Sequence, residues 1–264
     1  MPTVWQLLSS AVLETSTAEV VLNQAKCYAA YGRHLAESRG GETSEWSGIV
    51  MCNAGLTPYR NIVVPQRPIQ PAEASELAQR LVDFYGSYQG WSIWSVFPLD
   101  LLAGGFIYQL ANPCMHRLAS LPLRGAEVPG LRIEEVTDEC GVETFERVRE
   151  TATGRLKASQ KLSGPHLDAR ILGNGYQLWL GRVGTQAVAT GASFSDDSVN
   201  LINNISTLTD FRRRGIGAAM SAHAIRASSK PTALNSDPNG FGLYRKLGFQ
   251  EVGRIQFWTL GLSP

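Results

Sequence analysis

Between Tyr176 and Leu208 the chain offers three strand-like runs, YQLWLGRV, QAVATGASF and VNLINNISTL, separated only by Gly184-Thr185 and by Asp196-Asp197-Ser198. Connections this short cannot carry a crossover, so the runs form an antiparallel meander. The segment after the third run is equally restrictive. TLTDFRRRGIGAAMSAHAIR places Arg212, Arg213 and Arg214 directly before Gly215-Ile216-Gly217 and a helical pattern. A helix entered through glycines leaves its first backbone N–H groups without carbonyl partners, with the positive end of the helix dipole behind them. Glycine lets a bulky anion reach that backbone, and the arginines add charge or donors at its rim. Taken alone, an R-x-x-G-x-G fits a solvated basic turn before an ordinary helix equally well.

Around this centre the pattern alternates between periods of 3.6 and 2. An amphipathic helix is expected over Ser16 to Ser38, a polar loop over Glu42 to Ser47, and a strand pair in WSGIVMCNAG and YRNIVV, broken at Leu56-Thr57-Pro58. A helix opened by Pro71 follows in PAEASELAQRLVDFYGSY, then a strand in WSIWSVF, a short helix in LDLLAGG and a strand in FIYQLANPCMHRLASL. LPLRGAEVPG, Leu121 to Gly130, has the composition of a linker. Beyond it stand a strand in LRIEEV, a helix from Thr137-Asp138 through ETFERVRE and a helical stretch around Leu156 to Leu172. After the meander and its helix come a short strand in TALN, a helix in FGLYRKLG capped by Gly248 and a closing strand in QEVGRIQFWTL. This predicts an α/β fold, with α+β mixed sheets, in two domains, 1–123 and 131–264. Each is a central, mostly antiparallel sheet flanked by helices. LLAGGFIYQL and RKLGFQEVGR share a layout of short helix, glycine, phenylalanine and strand, which suggests a duplicated unit.

Composition narrows the partners. A net charge of +1 gives no bulk attraction to nucleic acid or anionic membrane, so any basic site is local. Cys27, Cys52, Cys114 and Cys140 lie far apart, without C-x-x-C pairs or histidines at ligand spacing, so neither a metal site nor a disulfide framework is expected. No segment approaches the roughly 20 apolar residues of a membrane span, and the opening lacks a basic start before a long apolar run. A cytoplasmic protein with reduced thiols is expected.

The strand INNISTL, the motif Arg212-x-x-Gly215-x-Gly217 and the later Leu243-Tyr244-Arg245-Lys246-Leu247-Gly248-Phe249 together resemble the GNAT superfamily of acyl-CoA-dependent acyltransferases. The family's signature is [QR]-x-x-G-x-[GA] between its fourth strand and third helix, followed by a tyrosine-bearing helix ending in Gly-Phe. The resemblance runs from Leu131 onward, about half the chain, and implies acetyl-CoA as co-substrate. Its pyrophosphate would rest on the amides of Arg213, Arg214, Gly215, Ile216, Gly217 and Ala218, with Arg212 beside them. Its pantetheine arm would pair with Ile205, Ser206 and Thr207. Tyr244 would be the general acid for the departing thiolate, since a phenol with a pKa near 10 keeps its proton at neutral pH. The implied reaction is N-acetyl transfer by direct attack of a primary amine on a small molecule or peptide. Two alternatives stay open: a longer acyl-CoA or acyl carrier protein as donor, and a module that binds acyl-CoA without turnover.

The chain departs from the family in three places. Asp237 stands where many members carry Asn, although Asn235 and Asn239 are close. Only one long strand follows Phe249 where two are usual, so the other is either absent or supplied by the first domain. No Glu or His lies on VNLINNISTL to serve as base, which leaves a water relay or an already deprotonated amine. In the first half the glycine-loop position holds PQRPIQPAEA, and prolines without glycine offer no phosphate cradle. That half is expected to complete the sheet and wall the acceptor pocket. Trp46, Trp91 and Trp94 could line that pocket, with core packing the simpler role for each.

Overall fold

The computed structural model describes residues 4–55, 61–86, 90–123, 127–156 and 167–260, and for residues 4–16 the backbone alone. Its helices are α1 (Val4–Ser38), α2 (Ala74–Tyr85), α3 (Glu139–Ala152), α4 (Ile216–Arg226) and α5 (Phe241–Lys246). The strands of the first half are β1 (Glu42–Trp46), β2 (Ile49–Asn53), β3 (Asn61–Pro65), β4 (Trp91–Ser95) and β5 (Phe106–Arg117). Those of the second are β6 (Leu131–Glu135), β7 (Tyr176–Val183), β8 (Gln186–Ser195), β9 (Asn200–Thr207), β10 (Thr232–Asn235) and β11 (Gln250–Leu260). All belong to one sheet, in the order β1-β2-β3-β4-β11-β5-β10-β9-β8-β7-β6. The expected meander is β7, β8 and β9, antiparallel throughout.

The two halves exchange their last strands. β11, at the end of the second half, lies between β4 and β5, and β5, at the end of the first, lies between β11 and β10. Outward from this central pair the pattern is the same in both directions. β4 and β10 pair antiparallel with the inserted strand, and each pairs parallel with its outer neighbour, β3 or β9. Of the two outcomes open for the strand missing after Phe249, the structure adopts the second: the neighbour of β10 comes from the first half.

Helices cover both faces. On one, α1 and α3 bury a continuous core that includes Tyr28, Leu35, Val50, Ile62, Phe145, Leu178, Leu201 and Ala233 from both halves. On the other, α2 packs on the first half with Leu77, Leu81 and Trp91, and α4 with α5 on the second with Met220, Leu234 and Phe249. Local signals explain most ends. The Asp138 carboxylate accepts from the Gly141 amide at 2.7 Å and caps α3, and Gly248, at φ 89°, closes the turn after α5.

Three expectations need correction. Residues 42–46 are not a loop but the edge strand β1, in register with β2 from Glu42↔Asn53 to Trp46↔Ile49. Its side chains are almost all exposed, so alternation left no apolar trace. α1 begins at Val4, twelve residues before the expected Ser16. Most of the helical stretch set at Leu156 to Leu172 lies outside the described residues, and at its end Ala169–Ile171 form a single 3₁₀ turn. The turn signal Leu56-Thr57-Pro58 also lies outside them.

Candidate functional site

β9 and β10 are in register only at Asn200↔Thr232 and Leu201↔Ala233 and then diverge. Beyond that point β9 carries a bulge between its pairs Ala192↔Asn203 and Thr190↔Ser206, with Asn204 in the left-handed region at φ 53°. The Thr190 hydroxyl donates to the Asn204 carbonyl at 2.8 Å and locks that residue. Leu208 N–H points to Val188 O at 2.9 Å. By strand alternation Ser206 also faces β8, and Ile205 and Thr207 turn their backbone groups to the open side. A strand edge thus faces a wedge-shaped gap in the middle of the sheet.

Thr209–Phe211 form a 3₁₀ turn at the mouth of the gap, and the chain enters α4 through Gly215, the N-cap, at φ 82°. Among the described residues no acceptor meets the amides of Gly215, Ile216, Gly217 and Ala218, and the next amide, Ala219 N–H, closes on Gly215 O at 3.0 Å. A Cβ on Gly217 would meet only Leu243 Cδ2 at 3.7 Å and Thr207 Oγ1 at 3.9 Å, so the space above the helix start is open. The three arginines differ in use. Arg212 turns inward, donating from Nε to Thr207 O at 3.0 Å and from Nη2 to Ala152 O at 2.6 Å, and so ties the loop to β9 and to the end of α3. Arg214 donates to Asp210 O at 2.7 Å and lies over the Phe211 ring at 5.0 Å. Arg213, in the left-handed region at φ 62°, is exposed.

Tyr244 sits one helix away. Its half-buried ring rests edge-to-face on Phe249, centroids 5.7 Å apart, and against Gly240, where a Cβ would come within 2.9 Å of the ring. Its hydroxyl meets that of Ser221, which is buried and donates to Gly217 O at 2.8 Å. Burial pushes the phenol up to about 12; the Ser221 contact opposes the rise and the Asp237 charge adds to it. The cradle and the tyrosine are thereby linked through Ser221, which the sequence did not single out. Asp237 is spent on its own turn, accepting from Gly240 N–H at 2.7 Å. Asn235 faces α1, donating to the Tyr28 hydroxyl at 3.1 Å.

In the first half the corresponding place, after β3, is filled from within. The Glu73 carboxylate accepts from Gln70 N–H at 2.8 Å and from Arg67 at 2.5 and 2.9 Å, and these bonds hold its pKa down near 2. Trp91 is buried against Tyr85 in the core under α2, and Trp46 lies beneath Arg80. Trp94 stands edge-on to Tyr28 and Phe257. All four cysteines are free. Among the described residues no group of three or more His, Cys, Asp or Glu is assembled to hold a metal, and no helix is long and apolar enough to cross a membrane.

The family model of the acetyltransferase (GNAT) domain matches residues 143–258. This stretch of the chain is similar to GNAT acetyltransferase domains. The GNAT match spans the meander, the glycine loop and Tyr244, and supports a transferase acting as an acyltransferase; GNAT domains use acetyl-CoA as co-substrate. Solved structures extend the likeness of fold to nearly the whole chain. A GCN5-related N-acetyltransferase from Kribbella flavida superposes with a TM-score of 0.70 at 17% identity, over 92% of this chain and 96% of that one. A protein of the GNAT family from Novosphingobium aromaticivorans gives 0.57 at 16% identity, over 89% and 99%. A conserved protein of unknown function from Staphylococcus epidermidis gives 0.56 at 14%, over 85% and 96%. No curated protein is significantly similar in sequence.

Proposed function

We propose that the protein is an acetyl-CoA-dependent N-acetyltransferase acting on a primary amine of a small molecule or peptide. The observation that carries this reading is the set of unclaimed amides from Gly215 to Ala218, beside a splayed strand edge and within one hydrogen-bonded link of Tyr244. The amides and the helix dipole would hold the pyrophosphate, with Arg213 at the rim. Arg212 positions the loop, because its bonds to Thr207 O and Ala152 O fix where the helix begins. The pantetheine would pair along the outward groups of Ile205 and Thr207, with a backbone N–H there polarising the thioester carbonyl.

The amine nitrogen attacks that carbonyl carbon as the free base, and collapse of the tetrahedral adduct breaks the C–S bond. Tyr244 gives its proton to the sulfur, and the proton lost by the nitrogen returns to the phenolate through water. A phenol held up to about 12 stays protonated through the working range, which suits an acid that must deliver a proton only when thiolate forms. The first half, with its anion site filled by Glu73, serves as a GNAT-like copy without a cradle, over 1–123, to the catalytic unit at 131–264. It donates β5 to the catalytic sheet and α1 to the acceptor side.

The test is calorimetric titration with acetyl-CoA, of the wild type and of a Gly215→Val/Gly217→Val variant, followed by an amine screen read as release of free thiol. Binding lost in the variant and turnover in the screen support the proposal. Binding of equal strength in both proteins would remove the cradle, and binding without turnover on any amine would remove the enzyme.

A further inference from the structure

On the side of the gap away from α4, one polar atom has been left without a partner. Asn203 follows Leu201 on the face of β9 that packs under α1, and Asn235 holds the matching place on β10, with its amide on Tyr28. The pairing of β9 with β10 has already ended at Leu201, so Asn203 has Ala192 of β8 on one side and the gap on the other. Its Oδ1 accepts from Asn204 Nδ2 at 2.7 Å. That bond fixes the amide's orientation, because a flip would set two NH₂ groups against each other. Asn203 Nδ2 is therefore the atom left over. Among the described residues it is the one buried side-chain nitrogen or oxygen with no hydrogen-bond partner.

The arrangement is held rather than incidental. Asn204 occupies a left-handed bulge position, its carbonyl is tied to Thr190, and its amide also reaches the Tyr176 hydroxyl at 3.4 Å. Backbone strain and an unmatched donor both destabilise the free chain, and such features persist where a ligand completes them. Asn204, which is bonded to Asn203, and Tyr176, which Asn204 reaches in turn, carry no charge. A neutral carbonyl oxygen suits this donor better than a carboxylate, which would be desolvated there without a counter-charge. Position along β9 sets how far that oxygen lies from the reacting nitrogen. Asn203 precedes Ile205, where the thioester carbonyl would be polarised, by two residues with the Asn204 bulge between them, which brings the two closer than the roughly 6–7 Å of a regular strand. An α-amino carbonyl, whose oxygen is about 3 Å from its nitrogen, spans that distance with one hydrogen bond of about 2.9 Å.

Resting on the acetyltransferase reading, we propose that Asn203 Nδ2 donates to the carbonyl oxygen of an α-amino amide, so that the acceptor is a peptide N-terminus or a peptide-like amino amide rather than a plain alkylamine. Asn203 is then a specificity-determining residue that acts in binding the acceptor, not in binding acetyl-CoA.

The experiment compares matched amines with acetyl-CoA: alaninamide against ethylamine, phenylalaninamide against 2-phenylethylamine, with free alanine and phenylalanine as the charged members. Rates are compared at equal free-base concentration, because amino amides are weaker bases than alkylamines. In the wild type kcat/KM should favour each amide over its alkylamine by about tenfold or more, since the alkylamine leaves a buried donor unpaired. The free amino acids should trail the amides. In Asn203→Leu the ratio should fall to near one, with acetyl-CoA affinity by calorimetry unchanged. A wild-type ratio near one overturns the proposal whether or not the variant folds. A ratio that survives in a folded Asn203→Leu also overturns it, and free amino acids that outpace the amides refute the neutral-oxygen assignment. Turnover with no preference removes this inference alone, whereas acetyl-CoA binding without turnover of any amine removes the acetyltransferase reading and this inference with it.

Discussion

Gly215 and Gly217 are two residues apart in the same loop, and replacing each by alanine should move stability in opposite directions. Gly215 stands at φ 82°, where a Cβ meets its own backbone, and that Cβ would also lie 3.3 Å from Val128 Cγ2. The left-handed penalty is about 1–2 kcal/mol, so Gly215→Ala should lose about 1.5–2 kcal/mol. Gly217 has helical geometry, and its added methyl would find only ordinary contacts at 3.7 and 3.9 Å. There, alanine restricts the unfolded chain and stabilises the helix by about 0.5–1 kcal/mol. The difference of about 2–3 kcal/mol, at about 2–4 °C per kcal/mol for a chain of this size, separates the two melting midpoints by about 5–10 °C. Differential scanning fluorimetry resolves this readily, and calorimetry on the same samples should find acetyl-CoA binding kept in Gly217→Ala. Two variants destabilised equally, or a Gly215→Ala that melts with the wild type, would refute the conformational argument for the loop.

Three further outcomes are expected. Tyr244→Phe should lower kcat by about 10²–10³-fold with little change in acetyl-CoA affinity. Because burial raises the phenol to about 12, the proton is held more tightly than in free tyrosine, and kcat should show no alkaline loss from this group below about pH 10. A downturn near pH 8 that vanishes in Tyr244→Phe would contradict the raised value. Residues 127–264 expressed alone should fail to give a cooperative melting transition, because β10 and β11 each lose β5 as neighbour. Adding residues 1–123 as a separate chain should restore the transition, and an independently cooperative fragment would show that the exchanged strands are dispensable.

The elements that proved legible were those whose information is local. The meander was fixed by two short turns, the entry of α4 by Gly215 and the end of α5 by Gly248, each a backbone conformation written in a residue or two. β1 was missed because an edge strand with both faces in solvent has no apolar period to display. Arg212 was placed at the rim by its charge, yet it turns inward because Thr207 O and Ala152 O, far apart in sequence, end up within its reach. Ser221 looked like any small polar residue of a helix until its hydroxyl was seen joining Gly217 O to Tyr244.

The sequence by itself determined the acetyltransferase motif and the order of elements that carries it, because glycine, proline and periodicity act through the nearest few residues. Only the tertiary structure decided that β5 and β11 cross between the halves and that α1 closes one face of both, because strand order depends on which edges meet after collapse. It also decided that Asn203 is left with a donor and no partner, since a side chain's hydrogen-bond balance is settled by neighbours drawn from several strands and not by its place in the chain.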